Sequence, residues 1–462
     1  MEPASVAAAG DTALAPVTRP RALTGEPYAL YCDEYELTMA QSFLRHDQNG
    51  LAAFELSVRT LPANRGYLVA AGLEQVLAHL GSLRFDDAAI DYLRGTGTYD
   101  THFLQFLSAM RFTGNVDAVP EGTVVGADTP ILRITAPRIE ATLVESWVLA
   151  TINHQTSIAT KAARVVDAAG GRPVWDFALR RVHGPEAGVA VARAAYIGGA
   201  AGSATVVAGQ RIGIPTTGTM AHHYVLLFGP HGEQAAYEQF LHDYPDRATL
   251  LIDTYDTVAA VDRVVAASQS TGVPVTGVRI DSGDLLTLSR AVRARLDAAG
   301  LAETRIVASG DLDEFRIHEL LAHAAPVDAF GVGTMMGTSY DAPALGGVYK
   351  LVAQEHDGVM QAVMKHSTDK ITEPGVHQVF RTEDGDAVGL DGEALTGRRL
   401  VERVMTAGTS QDVPPLADIR EHARDEVASL PAAVRRLTDP EPWPVRRSPA
   451  LRALRRSLGA PE

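Results

Sequence analysis

The sequence predicts an α/β protein built around a parallel barrel, with a smaller α+β domain in front of it. Short apolar strands in the middle of the chain are each followed by a polar turn and a helical stretch, and the later strands recur about every 24 to 35 residues, the size of a βα unit. The segments before this repeat mix helical and strand-like periodicity. With 462 residues, the chain is long enough for one large core and a smaller companion.

Four regions are expected along the chain. Residues 1–26 are rich in alanine, proline and threonine without periodicity, which predicts a disordered leader. Residues 27–139 are expected to form the α+β domain and residues 140–350 the barrel. Residues 351–462 are expected to form a C-terminal segment that packs on both.

The periodicity also predicts individual elements. In the α+β domain we expect helices at 34–44 and 70–80, a strand at 52–59 and a small antiparallel layer at 124–134. A long helix is expected at 140–169, and Asp311 with Glu314 has the spacing of a capping box for a later helix. The barrel strands are predicted at 172–177, 213–218, 249–252, 275–280, 305–308 and 329–332.

Charge and composition exclude several classes of partner. The chain has 56 acidic residues against 41 lysines and arginines, a net charge of -15 that repels polyanions. We therefore predict neither a nucleic-acid nor a membrane partner. Cys32 is the one cysteine, so an intrachain disulfide or a thiolate metal cluster cannot form. The absence of a long apolar window predicts a cytoplasmic location.

Polar residues that could carry chemistry follow the predicted barrel strands. Reacting groups in such barrels come from the C-terminal strand ends and the loops after them. His222 could be a nucleophile or base, or a hydrogen-bonded structural histidine. Arg279 offers a planar fork for a carboxylate or phosphate, or an internal salt bridge to Asp281. Arg180 and Thr219 stand at neighbouring strand ends.

Two glycine-containing loops predict a phosphate site. Gly310, and then Gly331 and Gly333 with Thr334, lie on successive strand ends, where backbone N–H groups could approach an anion. The alternative is that these glycines only permit tight turns. Tyr35, in the first domain, would ordinarily pack against its own domain.

Seven segments in order resemble the nicotinate phosphoribosyltransferase family. The resemblance covers about residues 28–454 and is carried by YELTMA (35–40), LPANRGY (61–67), GLE (72–74), AYIGG (195–199), GTMAH (218–222), RIDSGDL (279–285) and GGVYKLV (346–352). It implies the irregular TIM-like barrel of type II phosphoribosyltransferases, with an α+β N-terminal domain completed by C-terminal segments.

The resemblance also implies an activity. Members of the family join nicotinate to the ribose of phosphoribosyl pyrophosphate, giving nicotinate mononucleotide and pyrophosphate for NAD synthesis, and couple this step to ATP hydrolysis with Mg²⁺ present. They are usually homodimers whose active sites lie between the subunits. Nicotinate, phosphoribosyl pyrophosphate and ATP are therefore the expected partners of this chain.

Residue roles follow from the same resemblance. His222 matches a histidine that takes a phosphoryl group from ATP, and Thr219 and Arg279 match contacts to nicotinate. Tyr35 matches an aromatic residue that covers the pyridine ring from the partner subunit, and Arg180 is expected near the substrates. Gly331, Gly333 and Thr334 match a cradle for the ribose 5-phosphate. Gly310 stays a phosphate-binding candidate from its glycine loop alone. Asp281 and Asp284 are not needed as bases for a pyridine nitrogen and are candidates for contacts to ribose hydroxyls or metal-bound water.

One segment departs from the family pattern, and two rival functions stay open. Residues 202–206 read GSATV where the family usually has GTSNV, which could change phosphate or ribose contacts. A related enzyme acting on nicotinamide or quinolinate is one rival, although quinolinate would call for additional cations around its second carboxylate. A catalytically weak subunit that binds pyridine nucleotides is the other.

Overall fold

A computed structural model describes residues 29–365 and 372–459 of the chain. The predicted leader, residues 1–26, lies outside the described residues. The part before the barrel contains α1 (Glu34–Arg45), β1 (Leu51–Val58), β2 (Leu68–Val69), α2 (Leu73–Ser82), α3 (Asp87–Gly95), α4 (Thr101–Ala109), β3 (Asn115–Ala118), β4 (Val124–Val125), β5 (Leu132–Pro137), α5 (Arg138–Leu143) and α6 (Glu145–Ala168).

The helices at 34–44 and 70–80 and the strand at 52–59 are confirmed with small shifts. The second helix begins later than predicted because Gly72, at φ +104°, sets its start at Leu73. The long helix expected at 140–169 is instead two helices, α5 and α6. They separate at Val144, whose ψ of -2° departs from α-helical geometry.

The barrel region follows as alternating strands and helices. It contains β6 (Val174–Asp176), a 3-10 helix (Leu179–Arg181), α7 (Pro185–Ile197), β7 (Gly202–Ser203), α8 (Val206–Ile212), α9 (His222–Leu226), α10 (Glu233–Asp243), β8 (Thr249–Leu251), α11 (Thr257–Thr271), β9 (Gly277–Ile280), α12 (Leu285–Ala298), β10 (Arg305–Ala308), α13 (Glu314–Ala322), β11 (Ala329–Val332) and α14 (Thr334–Gly337).

Six parallel strands form an almost closed ring in the order β7-β6-β11-β10-β9-β8. The last strand, β11, pairs with the first, β6, which is the connection a barrel needs. Among the described residues, β7 and β8 are not hydrogen-bonded to each other, so the ring has one seam. The parallel α/β barrel is therefore confirmed in its irregular form.

Two local predictions are wrong. Residues 213–218 are not a strand, because Gly213 closes α8 at φ +70° and Pro215 lacks an N–H; only Thr216 makes an isolated bridge to Ser203. The second barrel strand is β7, where Gly202 lies so close to Pro215 that a Cβ would be 2.2 Å from the proline carbonyl oxygen. The cap of α13 is Asp313, which accepts from the Arg316 N–H at 2.8 Å, and not the expected Asp311.

C-terminal strands complete the sheets of the first domain. The elements are β12 (Gly347–His356), β13 (Val359–Ala362), β14 (His377–Thr382), β15 (Gly385–Leu390), β16 (Arg398–Arg399), β17 (Glu402–Thr406), β18 (Thr409–Ser410), α15 (Leu416–Ser429), α16 (Ala432–Arg435), β19 (Val445–Arg447) and α17 (Pro449–Ser457). β12 pairs with β1 and β17 pairs with β3, giving a seven-stranded antiparallel sheet in the order β13-β12-β1-β5-β3-β17-β18. The expected completion by C-terminal segments is thus confirmed, while the boundaries at 139 and 350 stay a prediction.

Smaller sheets and two cores complete the architecture. β16-β14-β15-β19 form a four-stranded sheet, and β2 pairs with β4. One apolar cluster fills the barrel and a second fills the layer between the seven-stranded sheet and its helices. Within the described ranges, no helix combines the length and apolar character that crossing a membrane requires.

A buried arginine joins the two cores. Arg193 of α7 contacts Glu121 through both terminal nitrogens, at 2.8 and 2.6 Å, and Glu74 of α2 at 2.6 Å. Glu121 also accepts the backbone N–H groups of Gly72 and Leu73, at 2.5 and 3.1 Å. The start of α2 is therefore fixed to the barrel through one guanidinium.

We expect Arg193→Met to lower the free energy of unfolding by about 3–5 kcal/mol, because it leaves the buried Glu121 carboxylate without its cation. Arg424→Met is the matched control, since Arg424 is exposed and pairs with its surface neighbours Glu421 and Asp425. The control should leave stability unchanged within the error of the measurement. Equal losses in denaturant titrations of the two variants would contradict this account of the junction.

Candidate active site

The C-terminal ends of the barrel strands bring most of the predicted polar residues to one face. Arg279 and Asp281 lie at the end of β9, Asp253 and Thr254 after β8, and Ser309 after β10. The segment 216–222 crosses the same mouth, because Arg279 reaches it with two hydrogen bonds. This is the face where barrels of this kind carry their chemistry.

Arg279 is the central cation of this face. Its Nη1 donates to Thr219 Oγ1 at 2.5 Å and to the Met220 carbonyl at 3.2 Å, and its Nη2 lies 3.5 Å from Asp281 Oδ1. The side chain is 11% exposed, and its Nε is buried without a hydrogen-bond partner among the described residues. Burial lowers the pKa of Arg279 from its usual value, against the opposing effect of Asp281. The loose ion pair and the unpaired Nε leave capacity for another acceptor.

His222 lies beside the same acids. Its Nδ1 is 3.1 Å from Thr254 Oγ1, while its Nε2 is 3.9 Å from Asp253 Oδ1 and 4.0 Å from Asp281 Oδ2. The side chain is 39% exposed. A histidine with one nitrogen held and the other facing solvent and two carboxylates is available for chemistry.

Asp253 organises the loop that carries Asp281. Its carboxylate is 1% exposed, and its Oδ2 accepts the Asp281 backbone N–H at 3.0 Å and the Ser282 hydroxyl at 2.6 Å. Asp281 in turn accepts the Ser309 hydroxyl at 2.5 Å. The ends of β8, β9 and β10 are therefore connected by one chain of hydrogen bonds.

The two glycine loops approach this group closely. Gly310 has φ +91°, and a Cβ there would be 1.9 Å from the Asp281 carbonyl oxygen. A Cβ at Gly331 would be 2.3 Å from the ring of Phe177. Gly333 immediately precedes Thr334, the first residue of α14. Close contacts thus leave no room for a side chain at Gly310 or Gly331, and the phosphate role of both loops stays a prediction.

Three predicted residues, Asp284, Tyr35 and Arg180, are not hydrogen-bonded to this group among the described residues. Asp284 caps α12 by accepting from the Leu286 and Thr287 N–H groups and from the Thr287 hydroxyl, which lowers its pKa. Tyr35 lies on α1, is 45% exposed, and has its pKa raised by burial and then by Glu145. Arg180 is exposed on the 3-10 helix, near enough to Arg279 to lower its pKa.

Three further residues contribute to the site, although the sequence assigns none of them a role. Thr254 holds the His222 ring, Asp253 holds the Asp281 loop, and the Phe177 ring lies 5.9 Å from the Arg279 guanidinium carbon. The rule of strand ends points to Asp253 and Phe177, and Thr254 directly follows Asp253. The rule does not show which groups these residues contact, and an aromatic residue at a strand end is usually core.

The segment that departs from the family pattern keeps a structural hydroxyl. Ser203 donates to Asp176 Oδ2 at 2.6 Å and accepts the Thr205 N–H at 2.9 Å. Burial raises the pKa of Asp176. Thr205, just before α8, has a buried hydroxyl without a partner in the described chain. Ser203 therefore holds β7 against β6, where Asp176 lies.

Models of protein families match nearly the whole chain. The nicotinate phosphoribosyltransferase N-terminal domain matches residues 30–153, and the C-terminal domain of the same family matches residues 348–455. The quinolinate phosphoribosyl transferase C-terminal domain matches residues 158–341, the barrel between them.

Known proteins agree with these matches. The chain is 47% identical over 420 residues to the nicotinate phosphoribosyltransferase pncB2 of Mycobacterium tuberculosis, covering 89% of each chain. It is 35% identical to a nicotinate phosphoribosyltransferase of Bacillus subtilis, covering 90% of this chain and 92% of the relative. The human nicotinic acid phosphoribosyltransferase structure superposes with a TM-score of 0.80 at 27% identity, covering 92% of this chain and 99% of the other. The nicotinate-nucleotide pyrophosphorylase of Pyrococcus furiosus shares the fold, with a TM-score of 0.72 at 23% identity and 89% and 99% coverage.

We expect Gly310→Ala to destabilise the protein more than Gly300→Ala. Both glycines have positive φ, +91° and +79°, but no atom lies within 4 Å of a Cβ at Gly300. Gly300→Ala should cost about 1 kcal/mol for its backbone conformation, and Gly310→Ala a further 1–3 kcal/mol or so for the clash with Asp281. Denaturant unfolding measures both, and equal losses would contradict the close approach of the two loops.

Proposed function

The chain belongs to the nicotinate phosphoribosyltransferase family, an enzyme family of NAD salvage, and from that premise we propose that its barrel mouth binds nicotinate and phosphoribosyl pyrophosphate while His222 is transiently phosphorylated by ATP. The observation that carries this proposal is that Arg279 and His222 both lie beside Asp281, whose carboxylate is 3.5 Å from Arg279 Nη2 and 4.0 Å from His222 Nε2.

Arg279 is the proposed ligand of the nicotinate carboxylate. A buried donor without an acceptor is costly, and a substrate carboxylate would supply the acceptor that Nε lacks. Thr219, held by Arg279 Nη1, would present its hydroxyl to the ring edge, and the Phe177 ring supplies an apolar face nearby. Nicotinamide, which is uncharged, would add no negative charge to that of Asp281. Among the described residues, Arg180 is an arginine whose charge acts on Arg279, and the second carboxylate of quinolinate would call for additional cations.

The transfer forms a bond between the pyridine nitrogen and the anomeric carbon while the bond from that carbon to pyrophosphate breaks. The nitrogen lone pair attacks directly, so no general base is required. Catalysis then consists of positioning and charge stabilisation. In this proposal the loops of Gly310 and of Gly331, Gly333 and Thr334 hold phosphate groups, and Asp281 orients ribose hydroxyls. Asp284, engaged as a helix cap, is the less suitable of the two acids.

Mg²⁺ would be held mainly by the substrate. Among the described residues, no group of three or more His, Cys, Asp or Glu side chains is arranged to hold a metal ion. Mg²⁺ commonly keeps its waters and binds one or two carboxylates together with substrate phosphates. Asp281, and Asp253 with its unpaired buried Oδ1, fit that mode. When bound, the ion would neutralise charge on the leaving pyrophosphate.

Phosphorylation of His222 offers a way for ATP to act on the site. A phosphoryl group moving from ATP to Nε2, with ADP leaving, would place negative charge about 4 Å from the carboxylates of Asp253 and Asp281. Repulsion would then act on the loop that Asp253 anchors, and through Asp281 on Ser309. The ATP energy would change loop positions without entering the transfer itself.

A homodimer with shared sites accounts for exposed apolar residues in two places. Tyr31, Tyr35 and Met39 are exposed at and just before α1, and Leu226 and Leu227 are exposed beside the barrel mouth. Large apolar side chains gathered at the surface are typical of interaction sites. We propose that α1 of one subunit covers the barrel mouth of the other, which would bring Tyr35 over the pyridine ring.

The cytoplasmic location stays a prediction.

Labelling with γ-phosphate-labelled ATP tests the phosphohistidine. We expect the wild-type enzyme to acquire acid-labile label during turnover and His222→Asn to acquire none. His223→Asn is the matched control and should keep the label, since His223 is the exposed neighbour of His222. Label that persists in His222→Asn, or a wild-type enzyme that is never labelled, would remove the proposed coupling.

Arg279→Gln tests the carboxylate contact. We expect KM for nicotinate to rise about 10- to 100-fold, the range for losing a hydrogen bond to a charged group. The wild-type enzyme should prefer nicotinate over nicotinamide and quinolinate in product formation, and the variant should lose its preference over nicotinamide. An unchanged KM for nicotinate, or equal use of quinolinate by the wild type, would contradict the assignment.

A further inference from the structure

Five charged side chains form a buried cluster beside the loops that follow β10 and β11. This ion cluster consists of Arg65, Lys161, Arg164, Glu314 and Asp341. Four of the five are almost completely buried, and Asp341 is 29% exposed. The proposed function uses none of them, although Arg65 belongs to the LPANRGY motif.

One stripe of α6 supplies the centre of the cluster. Ser157, Lys161 and Arg164 have the spacing i, i+4, i+7, which places them on one face of the helix. Lys161 Nζ lies 2.8 Å from Asp341 Oδ1 and 2.5 Å from Glu314 Oε2, so a single ammonium joins the two acids. Arg164 Nε contacts Glu314 at 3.0 Å, and the Ser157 hydroxyl donates to the Ala342 carbonyl at 3.1 Å.

The two acids stand at the far ends of the two glycine loops. Glu314 is the first residue of α13 and ends the loop that contains Gly310. Asp341 follows α14, the short helix that begins at Thr334. The distance between the loops is therefore set partly by the cation that both acids share.

Arg65 adds a contact from outside the barrel. Its Nη1 and Nη2 donate to the two carboxylate oxygens of Asp341 at 2.9 and 3.0 Å, a two-point contact, and Nη1 lies 3.9 Å from Glu314. Arg65 precedes β2 in the first domain, so the first domain also holds the loop end.

Buried ions are a weak source of stability, because desolvation offsets much of their attraction, and apolar residues of similar volume often serve as well. The ion cluster instead fixes the position of Asp341 relative to Glu314 through the directional contacts of Lys161 and Arg65. The two segments it joins are those to which the proposed function assigns the phosphates of phosphoribosyl pyrophosphate.

We propose that Arg65, Lys161 and Asp341 are positioning residues that set the spacing of the two phosphate loops, and so determine the affinity for phosphoribosyl pyrophosphate and not that for nicotinate. This inference rests on the proposed function. It separates the roles of the barrel mouth: Arg279 holds the base, and the ion cluster aligns the backbone that holds the sugar phosphate.

Steady-state kinetics of Lys161→Met and Asp341→Asn, varying each substrate in turn, test the proposal. We expect KM for phosphoribosyl pyrophosphate to rise about tenfold or more in both, because a small misplacement of positioning groups has large kinetic effects. KM for nicotinate should stay within about twofold of wild type, because Arg279 lies outside the cluster. Arg435→Met is the control, since it removes a half-exposed cation that pairs with Asp167 of α6, and both KM values should be unchanged.

Parallel rises in both KM values, or no rise in a folded Asp341→Asn, would overturn the proposal. Thermal denaturation shows which variants are folded. If Lys161→Met does not fold, Asp341→Asn decides, because its side chain reaches solvent and its shape is kept. A wild-type enzyme without nicotinate turnover would instead contradict the proposed function, so the two failures are distinguishable.

Discussion

The barrel mouth depends on one chain of polar contacts that runs from Asp253 through Asp281 to Ser309. Asp253 is buried, and its Oδ2 accepts hydrogen bonds from the Asp281 backbone N–H and the Ser282 hydroxyl. Asp281 then receives the Ser309 hydroxyl and faces Arg279 and His222 with the same carboxylate. Buried acids are tolerated only when they are paired or hydrogen-bonded, so each member needs the others. Arg279 and His222, to which the proposed function assigns the base carboxylate and the phosphoryl group, both lie beside this chain of contacts.

A second set of charges connects the barrel to the rest of the protein. Arg193 reaches Glu121 and Glu74 at the start of α2, and Arg65 reaches Asp341 beyond α14. In both places an arginine makes the two-point contact that a lysine cannot make. The first domain is therefore attached to the barrel by directional contacts as well as by apolar packing. Directional contacts fix the position of the first domain, which matters because its α1 is proposed to cover the active site of the partner subunit.

The sequence predicts the barrel strands that are apolar runs, and it misses the strand that depends on close contact with a distant segment. β8, β9, β10 and β11 are short apolar runs with polar residues after them, and the strand-end rule finds Arg279 and Asp281 from β9. The sequence does not predict β7, because Gly202 and Ser203 are not β-forming residues and lie close to Pro215 in a way that no periodicity reveals. The rule reaches His222 from the strand expected at 213–218, and that strand does not form because Gly213 has a positive φ and Pro215 lacks an N–H.

Contacts between distant segments are equally hidden from the sequence. Lys161 and Arg164 sit within an amphipathic helix and could be read as a solvated face, yet both are buried against Glu314. Thr254 holds His222 across 32 residues of chain. The family resemblance predicts a role for His222 and for Arg279, but only three-dimensional proximity shows which groups orient them.

A crystal structure of the enzyme with nicotinate mononucleotide bound would locate the base and the phosphate together. We expect the base carboxylate within hydrogen-bonding distance of the Arg279 guanidinium, and the nucleotide phosphate in contact with the backbone between Gly331 and Thr334. A carboxylate held by other residues, or a phosphate bound away from both glycine loops, would contradict this expectation.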